Sequence, residues 1–137
     1  MEYSIKPKRF GRKENNPLPS KEDNWIIRGI MEIKALNIKQ NDFLNEEDFF
    51  LSCEVFIGPK DEAYIYEVYD FNIISIKRLY DEFPDDGVML NKGWMIVKYY
   101  DENEVRCKIN SIIQSCIAKN DEKTYSNIGY YLRIQES

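Results

Sequence analysis

Carboxylates are the only plentiful groups in this sequence that could do chemistry. They gather in three places: Asp42, Glu46, Glu47 and Asp48; Asp81, Glu82, Asp85 and Asp86; and Asp101, Glu102 and Glu104. Two carboxyls facing each other across a cleft, one held protonated, would suit glycoside hydrolysis. Several converging oxygens would suit a divalent cation. Spacing along a chain establishes neither. The calcium-loop pattern, with its central Gly and terminal Glu, is absent. Acidic clusters more often form a solvated face or a surface that recognises another protein. The expectation is therefore no catalytic residue, no metal ligand and no cofactor.

Missing groups narrow the chemistry further. The chain has no histidine, and so lacks the commonest general base and the commonest metal ligand. Without it, no Ser-His or Cys-His pair can form, and neither a GxSxG nor an SxxK pattern occurs. Gly58-Pro59-Lys60 lacks the glycine spacing and following helix of a phosphate loop, and reads as a turn. Cys53, Cys107 and Cys116 make neither a zinc pattern nor a CxxC pair. As ordinary thiols they suit a reducing cytoplasm. No apolar run is as long as a membrane span, and the basic N-terminal stretch is not followed by the apolar core of a secretory signal. A membrane is not an expected partner.

The elements that would position the acidic clusters can be read from periodicity. Residues 29–38 alternate roughly and predict a strand; residues 39–48 are polar and read as a loop. Residues 49–57 are a clearer strand, with Leu51, Cys53, Val55 and Ile57 on one face and Phe50, Ser52, Glu54 and Phe56 on the other. Gly58-Pro59 stops it. Residues 63–74, rich in Tyr, Ile, Val and Phe, predict an antiparallel partner joined by a hairpin. Ile76, Leu79, Tyr80 and Phe83 have helical spacing, and Pro84 should end that short helix. Residues 94–100 are almost continuously apolar, which predicts a central, well-covered strand.

The last third reads as helical. Asp101 is a good N-cap with Glu104 three residues on. Val105, Ile109, Ile112, Ile113 and Cys116 then fall within a stripe roughly 100° wide. Asn120-Asp121 can cap a second helix, in which Tyr125, Ile128 and Leu132 share a face and Gly129 either weakens the helix or permits close packing. The expected fold is α+β: a mainly antiparallel sheet of four to five strands, with C-terminal helices packed on one face.

Charge divides the chain. The formal net charge is −5 over 137 residues. Residues 1–22 carry Lys6, Lys8, Arg9, Arg12, Lys13 and Lys21 against Glu2, Glu14 and Glu22, a net +3 that leaves −8 for the remainder. Residues 1–27 thus read as a basic, flexible arm, and residues 28–137 as an acidic folded domain. The arm could lie on that domain or help a second subunit dock as a homodimer. The acidic domain disfavours nucleic acid and suits a basic protein partner. Ten Tyr, seven Phe and two Trp belong mostly to the core and its rim, with a surplus of the kind a protein-binding surface uses.

Two segments carry a resemblance. Glu54-Val55-Phe56-Ile57-Gly58-Pro59-Lys60 precedes an aromatic strand, and Trp94-Met95-Ile96-Val97-Lys98-Tyr99-Tyr100-Asp101 leads into a long helix. In this order they are similar to immunity protein family 8 of bacterial polymorphic toxin systems, over about residues 28–137. The most specific part is Phe56-Ile57-Gly58-Pro59-Lys60. Phe71-Asn72-Ile73-Ile74 lacks the Thr-Pro pair often found in that family, and the chain ends Arg133-Ile134-Gln135-Glu136-Ser137 in place of an acidic-aromatic tail with tryptophan. The resemblance implies a non-enzymatic cytoplasmic protein that neutralises a toxin domain by protein–protein contact. The contact surface expected on charge grounds is Asp81, Glu82, Asp85 and Asp86, with Asp42, Glu46, Glu47 and Asp48 second. The competing readings are a small carboxylate- or metal-dependent enzyme and a regulatory interaction domain unrelated to toxins.

Overall fold

Strict alternation makes the strand that organises the sheet. The computed structural model describes residues 30–136. Strand β2 (Asp48–Pro59) turns Leu51, Cys53, Val55 and Ile57 inward, each no more than 1% exposed, while Ser52, Glu54 and Phe56 face outward and are half-buried. It pairs antiparallel with β1 (Met31–Asn45) on one side and β3 (Glu67–Ser75) on the other. The outer edge of β3 is shared end to end. Asn72 to Ser75 pair in parallel with β4 (Trp94–Val97), and Tyr69 and Asp70 pair antiparallel with β5 (Arg133–Ile134). The result is a five-stranded, mainly antiparallel sheet.

Helix α1 (Ile76–Glu82) follows β3 directly. It is capped by Ser75, whose hydroxyl accepts from the Arg78 backbone N–H. Helices α2 (Glu102–Cys116) and α3 (Asp121–Ile128) cover the inner face of the sheet. Asp101 caps α2 by accepting from the N–H groups of Asn103 and Glu104, and Asn120 caps α3 by accepting from that of Lys123. The predicted stripe on α2 is the face that packs: Val105, Ile109, Ile113 and Cys116 are buried against Leu51, Cys53, Val55, Phe71 and Ile73. Tyr69, fully buried, donates its hydroxyl to the carbonyl of Tyr125 at 2.8 Å and so ties the sheet to α3. The fold is α+β with the C-terminal helices on one face, as the periodicity predicts.

Four local expectations change. Residues 39–45 continue β1 instead of forming a loop, and only Glu46 and Glu47 make the turn. Register shifts at Ile33/Ala35, Ile38/Gln40 and Phe43/Asn45 break the alternation that would have revealed the strand. Residues 60–66 are turns, and β3 begins only at Glu67. The reason lies at Gly58: any Cβ there would land on the Ile65 carbonyl oxygen, so the returning loop folds down onto the glycine. Strand β4 is short and outermost among the described residues, not central, and Ile96 on it is 55% exposed. Its apolar run serves several neighbours. Trp94 meets Phe50 across the outer face at 5.5 Å, and beyond the strand Tyr100 packs edge-on against Phe49 at 5.7 Å and Phe43 at 5.9 Å. Finally, α3 stops at Ile128. A Cβ at Gly129 would come within 3.0 Å of the Ile134 side chain, so the glycine lets the chain turn back closely, and β5, which is too short to show periodicity, completes the sheet. The basic arm of residues 1–27 lies outside the described residues.

Gly58→Ala is expected to destabilise the domain by about 1–3 kcal/mol in urea unfolding, because the new methyl group must displace backbone. A variant with an unchanged midpoint would show that the 60–66 loop is free to move away.

Candidate functional site

The two acidic clusters preferred on charge grounds meet in space. The Ser75 cap fixes the first turn of α1, and from there Lys77 and Arg78 reach the β1–β2 hairpin. Arg78 Nε lies 2.8 Å from Asp48 Oδ1, its Nη1 lies 2.9 Å from Asp42 Oδ2, and Glu82 stands 3.8 Å from Nε. Lys77 Nζ lies 2.9 Å from Asp81 and 3.4 Å from Asp48. Asp48 is 8% exposed and faces inward to this pair; Asp42, Asp81 and Glu82 stay open to solvent. Glu46 and Glu47 occupy the hairpin turn beside Asp48 and are exposed. Asp85 and Asp86 are exposed in the turn after Pro84, which closes with Gly87 N–H donating to the Pro84 carbonyl. Four of the eight carboxylates, Asp42, Asp48, Asp81 and Glu82, are thus brought together by two cations, while Glu46, Glu47, Asp85 and Asp86 follow them in the adjoining turns.

The electrostatics follow from these contacts. The Arg78 guanidinium holds the Asp48 carboxyl below its ordinary value, with Lys77 adding to the effect and burial opposing it. The carboxylates in turn raise both cations, chiefly Asp81 for Lys77 and Asp48 for Arg78. The third acidic group serves the start of α2. Asp101 is its cap, and Glu102 pairs with Arg106 one turn on at 2.9 Å. Among the described residues, no group of three or more Cys, Asp or Glu is placed to hold a metal ion. Burial pushes the Cys53 thiol up to about 12 and raises that of Cys116, which makes both poor nucleophiles.

Two features of the surface escape the sequence reading. The outer sheet face carries a hydrogen-bonded network. Lys39 donates to Asp70 at 2.8 Å, Asn37 to Glu54 at 3.2 Å, and Gln135 bridges Glu54 and Asp70 at 3.1 and 3.0 Å. Its directly bonded partners lie up to 81 positions apart, so no local pattern announces it. The second is α1 itself, where Ile76, Leu79, Tyr80 and Phe83 have helical spacing that says nothing of which way they face. Ile76, Tyr80 and Phe83 are exposed, and the inward side holds Arg78 and the half-buried Leu79.

The Asp48 pair links the corner to stability. The lowered carboxyl pKa means that the pair contributes above the ordinary value of 3.8, and the contribution is lost as pH falls below it. Arg78→Leu is therefore expected to lower the thermal midpoint at neutral pH, by a margin that shrinks below pH 3.8. A margin equally large in acid, followed by circular dichroism, would exclude the ion pair as its source.

No helix of the described residues is long and apolar enough to cross a membrane. No curated protein and no solved structure matches the chain at a significant level. One family model, described as immunity protein 8, matches residues 31–133. The match runs from the first residue of β1 to the first of β5, and so takes in the sheet, both covering helices and the acidic corner. On that span, which is most of its length, the chain belongs to the immunity protein 8 family.

Proposed function

We propose that this protein binds and neutralises a cognate toxin domain of a bacterial polymorphic toxin system, by protein–protein contact and without catalysis. The family match over residues 31–133 carries the reading. The acidic corner supports it in kind. Lys77 and Arg78 are taken up by Asp42, Asp48, Asp81 and Glu82, so the field reaching solvent is negative and would draw in a basic partner. Three free cysteines suit action in a reducing cytoplasm.

Within the corner the residues divide by role. Asp48 anchors α1 to the hairpin, while Asp81, Glu82, Asp85 and Asp86 form the exposed rim, with Asp42, Glu46 and Glu47 beside them. The exposed carboxylates act before contact, by steering, more than within the finished complex.

Co-expression with the C-terminal domain encoded by the reading frame directly upstream should restore growth to cells which that domain otherwise arrests. Continued arrest, with both proteins made and soluble, would refute the proposal. Charge reversal of Asp81, Glu82, Asp85 and Asp86 should slow association by about tenfold or more at low salt and flatten its salt dependence. An unchanged rate would place the basic contact elsewhere.

A further inference from the structure

Helix α1 is built the wrong way round for a helix that serves only its own core. No residue of α1 is buried. Its inward side holds Arg78 on Asp48, while Ile76 and Tyr80, one turn apart, face out at 53% and 82% exposure, with Phe83 at the C-cap 41% exposed. Val88 and Leu90, in the segment that follows, are exposed as well. An isolated surface apolar side chain needs no explanation, but an inverted helix with an aromatic at its centre does. Polar contacts hold α1 in place, leaving its apolar side chains for something else to cover.

The surroundings set the chemistry of a partner that would fit them. Asp81 and Glu82 flank the stripe on the helix, and Asp85 and Asp86 follow it in the next turn. This rim repels phosphates, whether of nucleic acid or of an anionic membrane, and would repel itself across a two-fold axis between copies. It fits a protein surface with an apolar patch ringed by Lys and Arg. We infer that Ile76, Tyr80 and Phe83 are the apolar anchors of the toxin contact, with Asp81, Glu82, Asp85 and Asp86 as its charged rim. This rests on the neutralisation reading and adds the division of labour expected of an interface: the rim sets the rate of encounter, and the stripe sets the lifetime of the complex.

The test is the binding kinetics of the full chain with the upstream-encoded C-terminal domain. Tyr80→Ala and Ile76→Ala should each speed dissociation by about tenfold or more while changing association by less than about twofold. Tyr130→Ala, at another exposed tyrosine beyond α3, should change neither rate. Unfolding midpoints of all three variants should match the native chain, because each side chain removed is exposed. If the native chain binds and both α1 variants dissociate at its rate, the stripe is not the contact and neutralisation stands without it. If the native chain does not bind that domain, both ideas fall. A dimer of the free protein that Tyr80→Ala dissolves would assign the stripe to a second copy and overturn the inference.

Discussion

The Ser75 hydroxyl decides how the acidic corner is assembled. It is fully buried and accepts two backbone N–H groups, from Phe49 at 3.2 Å and from Arg78 at 3.1 Å. The first contact fixes the end of β3 beside the start of β2. The second starts α1 at that point and sets its rotation. Given that rotation, Arg78 points at Asp48, and Ile76 and Tyr80 have no choice but to face away. A small side chain with two acceptor sites thus places an ion pair on one side of a helix and an apolar stripe on the other.

What the sequence made legible, and what it did not, follows from the range of the forces involved. The alternation of β2 and the stripe on α2 reflect burial against a broad apolar layer, and such burial leaves its period in the chain. The caps Asp101 and Asn120 act within three residues, so they too can be read directly. The end of α3 was lost because Gly129 serves close packing against Ile134, a contact no local pattern records. The length of β1 was lost because its register shifts scramble the period, and because an outer strand tolerates polar residues on both faces.

The acidic corner shows the same limit. Charge alone singled out both clusters, but their meeting depends on Arg78 reaching Asp42, 36 positions away. Helical spacing suggested an apolar face on α1, and composition gave no hint that it points outward. Of the three acidic groups, the one at Asp101, Glu102 and Glu104 is spent on the start of α2. Similar residues in similar density therefore do different work, and burial and pairing sort them, not sequence.

The irregular edge of β1 has a consequence for how this sheet meets other chains. A long strand that is outermost among the described residues offers a row of backbone groups to any extended chain that drifts by, including an unfolded copy of itself. Fifteen residues of flat edge would be a template for sheet growth. Three register shifts cut this edge into short runs that twist out of line with one another, so no incoming strand can follow it far. The same irregularity that hides β1 in the sequence thus makes this edge a poor template for strand addition.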